Sequence, residues 1–144
     1  MLILCSLMAC VEPSMKRINE LNKRIERSED RFKDVEKQFD ELVRDYARVD
    51  SILRNNNTPK KEMLLFSAYL QQFEDVREEM IYDINYSSLQ LKNLEDDIKD
   101  GRYDDAQREE YLDSEESVIK MIEARIDYFY SNFNKQKEFV KSVR

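Results

Sequence analysis

Histidine and tryptophan are absent from this 144-residue chain, glycine occurs once, proline and cysteine twice each, and both cysteines fall within the first ten residues. Without histidine the chain lacks the usual zinc ligands, the imidazole base of serine and cysteine triads, and the Glu-x-x-His pairs of di-iron bundles. One glycine leaves no glycine-rich phosphate loop and too little turn punctuation for a sheet protein. With no cysteine after Cys10, no disulfide framework supports the body of the chain. Basic excess is missing too. Twenty-four Lys and Arg face 31 Asp and Glu, a net charge of −7, which is the wrong sign for a phosphate-binding surface. No catalytic residue, cofactor, metal, nucleic acid or small-molecule substrate is expected.

The chain is rich in apolar and charged residues together, 41% and 38%, with too much apolar material for a solvated tail and a length suited to one domain. The apolar residues recur at alternating steps of three and four. A first seam runs Ile18, Leu21, Ile25, Ser28, Phe32, Val35, Phe39, Leu42, Tyr46, Val49, Leu53. A second runs Met63, Phe66, Leu70, Phe73, Arg77, Met80, Ile84, Ser87, Leu91, Leu94, Ile98, and a third Leu112, Glu115, Ile119, Ile122, Ile126, Phe129, Phe133, Gln136, Val140, Val143. Such a repeat lets a long helix bury one stripe along a partner.

Punctuation falls between the seams. Pro13-Ser14 reads as a helix entry capped by Ser14, and Asn55-Asn56-Asn57-Thr58-Pro59 as a break. Gly101 reads as a C-terminal cap, and Asp104 with Gln107 as a capping box. The expected helices are 14–54, 59–100 and 105–144, each roughly 60 Å long at about 1.5 Å per residue. Short links force neighbours antiparallel. The fold expected is therefore all-α, an elongated antiparallel up-down-up three-helix bundle of coiled-coil type. In it the basic start of the first helix (Lys16, Arg17, Lys23, Arg24, Arg27) meets two acidic segments. These are the end of the second helix (Glu95, Asp96, Asp97, Asp100) and the start of the third (Asp104, Asp105, Glu109, Glu110, Glu115, Glu116).

Ahead of the bundle, Met1 to Val11 carries no charge and ends in Leu7-Met8-Ala9-Cys10. It is too short to span a bilayer but has the length of a signal peptide's apolar region. The segment resembles the lipobox of bacterial lipoproteins, with an aliphatic residue three before the cysteine and a small one just before it. The resemblance implies a signal peptide at 1–9 and lipid modification of Cys10 as the first mature residue. It also implies a tether over 10–13, a membrane partner through that lipid, and a place in the cell envelope. Val11 after Cys10, in place of Asp, points by the same resemblance to the outer membrane.

The search for chemistry turns up one outline and one surface. Asp96 to Gln107 has the outline of a calcium loop, but Ile98 and Gln107 stand where ligands should be, so it is read as a capped, charged turn. Tyr82, Tyr86 and Leu89 lie off the seam at spacings of four and three, with Leu65 and Tyr69 nearer the start of that helix and Tyr128 and Tyr130 on the third. Two readings stand. A core wider than a strict heptad stripe takes these side chains in, which is the favoured one, or they form an outward surface for a protein partner or a second copy. The function expected is a membrane-anchored envelope lipoprotein whose bundle is a structural or interaction module. The alternatives are a periplasmic holdase-like chaperone or assembly adaptor, and a cytosolic coiled-coil protein without processing.

Overall fold

A computed structural model describes residues 13–55 and 61–143; the lipobox segment with Cys10, the tether up to Glu12, and the break containing Thr58 and Pro59 lie outside the described residues. Three helices make up the fold: α1 (Pro13–Asn55), α2 (Lys61–Lys99) and α3 (Asp105–Ser142). Every pair packs together, α1 against α3 most extensively. The molecule is an all-α three-helix bundle.

The heptad seams form the core. Ile18, Val35 and Val49 of α1, Phe66, Phe73 and Leu91 of α2, and Leu112, Ile119, Ile126 and Phe133 of α3 are wholly buried. Phe73 is the hub. Its ring lies 4.9 Å from Phe39 and 6.0 Å from Phe32 on α1, and 5.0 Å from Phe129 and 5.4 Å from Phe133 on α3. Tilted and edge-to-face arrangements like these add to the area term of aromatic burial. Ring pairing also reads out the topology. Phe39 meets Phe73 and, farther along α1, Tyr46 meets Phe66, so α1 and α2 run antiparallel.

The turn between α2 and α3 follows from its sequence. Gly101 has φ of +69°, a left-handed conformation that residues with a Cβ adopt at a cost. The Arg102 N–H donates to the Asp97 carbonyl and the Gly101 N–H to the Ile98 carbonyl, the two bonds of a Schellman cap. Two residues later the Asp104 carboxylate accepts from the Gln107 N–H at 2.9 Å while the Asp104 N–H donates to the Gln107 side chain at 3.1 Å. That is the expected capping box. Tyr103 closes the corner, its hydroxyl donating to Asp97 and its ring 4.8 Å from Tyr111.

A charge ladder joins α1 to α3. Arg17 donates to Glu109 and Glu116 at 2.8 Å each and to Asp113; one heptad on, Arg24 grips Glu123 through Nε and Nη2 at 2.9 and 2.7 Å. Arg31 follows with Asp127, and near the far end the sign reverses, Lys137 reaching Glu41 at 2.8 Å. Arg17–Asp113, Arg31–Asp127 and Glu41–Lys137 share one offset of 96 residues, so α1 and α3 run parallel and in register. Pairing with Arg17 and Lys120 lowers the Glu116 pKa to about 2.

Three local expectations need correction. Ser14 is buried within the helix, not a cap, and Pro13 holds the first described helical turn, where its fixed φ and missing N–H suit it. The end of α2 lies beside the start of α1, but among the described residues no ion pair joins its acids to the basic residues there: Glu95 pairs with Lys99, and Asp97 and Asp100 pair with Arg102. The partners nearest in the chain reach them first. The third helix stops at Ser142, with Val143 as its cap.

The polar residues on the seams take part in the packing. Arg77 donates to Glu36 at 2.8 Å across α2 and α1. Ser87 is fully buried, and its Oγ makes no hydrogen bond of normal geometry. Glu115 is half-buried; desolvation pushes its carboxyl pKa up, against a smaller opposing pull from the nearby Ser87 hydroxyl.

Two measurements test this core. Phe73→Ala should cost about 3–5 kcal/mol, the usual loss for a buried phenylalanine, read as a lower midpoint in urea denaturation. Glu115 stabilises the fold fully only while neutral, below the ordinary value of 4.5, and that contribution disappears as pH rises through its raised pKa. Glu115→Gln should therefore melt above the parent at pH 7, with the gap shrinking toward pH 4.

Candidate functional site

The closed core leaves its most notable apolar side chains on α2. Tyr82, Tyr86 and Leu89 are 63%, 48% and 53% exposed, so the wider-core reading does not hold for them. Their spacing puts them on the helix face opposite Ile84 and Ser87, which no neighbouring helix can cover in a three-helix bundle. The same reading does hold for Tyr69, which flanks the seam and packs against the core, as its neighbour one heptad on, Val76, also does. The Tyr82 and Tyr86 rings stack on each other, with centroids 5.7 Å apart and planes 14° from parallel. The pair thus presents a flat aromatic surface to solvent.

One edge of this surface is charged and tied. Arg125 of α3 donates to Glu79 at 2.8 Å and to Asp83 at 3.1 Å. Tyr128 lies farther along the same side, exposed in part, its hydroxyl donating to Gln72 at 2.9 Å and its ring edge-on to Tyr69 at 6.4 Å. Tyr128 therefore stands apart from the Tyr82–Tyr86–Leu89 group and has a local structural role. Tyr130 faces α1, where the Arg31 guanidinium sits 5.7 Å from its ring centre.

Sequence reasoning missed two features. Met121 and Leu64 are strongly exposed; Met121 lies one heptad before Tyr128 and Leu64 about five turns before Tyr82, so the helical period was the available signal for both. An open groove of about 440 Å³ also runs between α1 and α2, with Phe39, Val43, Tyr46 and Leu70 as its floor and Glu74 and Arg77 at its rim. Val43, an apolar residue just off the seam, was the available signal for it.

The residues of the supposed calcium outline are otherwise engaged. Asp97 holds Tyr103 and Arg102, Asp100 pairs with Arg102, and Asp104 caps α3. Among the described residues, no group of three or more His, Cys, Asp or Glu side chains is placed to hold a metal ion. No helix among the described residues is long and apolar enough to cross a membrane.

Side chains that stand free of the core should contribute little to stability. The double variant Tyr82→Ala/Tyr86→Ala is expected to stay within about 1 kcal/mol of the parent in urea denaturation. A loss on the scale of a core phenylalanine would mean that the pair packs inward. No family model matches the chain, and no curated protein and no solved structure is significantly similar to it.

Proposed function

We propose that the chain is a membrane-anchored cell-envelope lipoprotein, lipid-modified at Cys10 and placed at the outer membrane, whose bundle is a non-catalytic protein-interaction module. The observation that carries the interaction role is the exposed, stacked Tyr82–Tyr86 pair with Leu89 beside it. Tyrosine joins a rigid apolar body to a polar tip and is enriched where proteins bind one another. Anchoring rests on Leu7-Met8-Ala9-Cys10. A single acyl chain holds a protein to a bilayer only marginally, whereas the several chains of a lipoprotein anchor make the attachment stable. Pro13 follows Cys10 closely, so the near end of the bundle would stand at the membrane surface.

A second reading, the holdase-like chaperone, is favoured by the open apolar groove between α1 and α2. A holdase binds many clients weakly and a module binds one partner at one place.

The test is the intact mass of the full-length gene product from bacterial membranes beside a Cys10→Ala variant. The expected mass is that of residues 10–144 plus acyl chains, lost in the variant. An unprocessed chain in the soluble fraction would remove the lipoprotein assignment. A photo-crosslinking residue at Tyr86 in the same membranes separates the two roles: one discrete adduct for a module, a smear of clients for a holdase.

A further inference from the structure

We infer that the outward face of α2 packs against the same face of a second copy of this chain, the two helices running antiparallel. This rests on the interaction-module reading and names the partner. Tyr82, Tyr86 and Leu89 form the apolar centre of the contact. One edge of the face carries Glu78, Asn85 and Lys92, at steps of seven residues and all exposed. That edge lies toward α1, since Gln71, one heptad before Glu78, lines the groove between α1 and α2. Among the described residues, no ion pair takes up Glu78 or Lys92, so both charges are open to a partner.

The face is complementary to itself under a two-fold axis, the commonest symmetry of paired proteins. Glu78 and Lys92 lie equally far along the helix from Asn85, and Tyr82 and Leu89 are centred within one residue of it. In an antiparallel pair, residues on the same edge of the two helices meet. An axis beside Asn85 therefore sets Glu78 against Lys92 of the second copy, and Lys92 against its Glu78. Tyr82 meets Leu89 twice in the centre, and the two Asn85 amides meet at the axis. Parallel pairing would set Glu78 against Glu78 and Lys92 against Lys92, and like charges across an interface are strongly unfavourable. On the opposite edge Glu79, already held by Arg125, faces Asn93. The like-charge pairing that remains on the face is Asp75 with Asp96. It lies about 16 Å from the axis at about 1.5 Å per residue, where crossed helices have diverged and short side chains can turn to water. The two α1 helices fall on the same side of the pair, so both chains can be anchored to one bilayer.

The test uses the full chain in solution. Sedimentation equilibrium should show a dimer half-formed at roughly tens of micromolar chain, as suits a contact of one helix on one. Glu78→Lys, Lys92→Glu and Tyr82→Ala/Tyr86→Ala should each weaken it about tenfold. The exchange variant Glu78→Lys/Lys92→Glu should return to within about threefold of the parent, because each charge again meets its opposite. Circular dichroism confirms that the variants keep their helices. A carbodiimide joins a carboxylate to an amine without a spacer. Glu78 and Lys92 of one chain are roughly 21 Å apart at about 1.5 Å per residue, so an amide between them forms only across two copies, and mass spectrometry of the digested dimer should find it. A chain still monomeric at roughly ten times the expected concentration would overturn the inference. So would a dimer indifferent to Glu78→Lys, or an exchange variant no better than the single reversals. The discrete adduct at Tyr86 in membranes should have twice the mass of the chain. If the inference fails while Tyr86 still yields a discrete adduct of another mass, the interaction module stands with a different partner; if both fail, so does the module.

Discussion

Burial of three apolar stripes around Phe73 is the constraint on which the rest of this structure depends. Helices in proteins gain most of their stability from packing one face. Phe73 contacts rings on both other helices, so the middle of the bundle closes as a single unit. Close packing of this kind makes a core responsive to the loss of even one side chain.

Apolar packing does not by itself choose a register. A seam that repeats every seven residues meets apolar residues again after a slip of one heptad, so another interaction has to remove the ambiguity. Between α2 and α3 the Schellman cap at Gly101 and the capping box at Asp104 leave little freedom in the connection. Between α1 and α3, which the chain does not join directly, the ladder from Arg17 to Lys137 supplies it. Exposed pairs contribute little individually, but a heptad slip would break several at once. The acids of early α3 also sit beside the N-terminal ends of both parallel helices, where the dipoles favour negative charge.

A core that closes so completely frees α2 to present an unusual outer face. Tyr82, Tyr86 and Leu89 contribute nothing to the seam, so their chemistry is open to another purpose. Stacking of the two rings holds them against each other on the exposed side of the helix. The packed seam and the exposed aromatic pair thus occupy opposite sides of one helix.

The three helices, their seams, the Gly101 cap and the Asp104 box were all legible in the sequence because each depends on near neighbours and on the 3.6-residue period. Arg17 and Arg24 pairing with early α3 was legible as well, since equal helices joined by short links bring those ends together. Other features needed the tertiary structure. Which of two nearby acids an arginine chooses depends on local reach, so Asp97 went to Arg102 and not to α1. Whether Tyr82 lies inside or outside depends on how wide the buried stripe is, and that width is set by how closely two other helices approach. The convergence on Phe73 and the groove over Val43 arise the same way. Sequence period determines which residues share a face; only the packed neighbours decide how much of that face water still reaches.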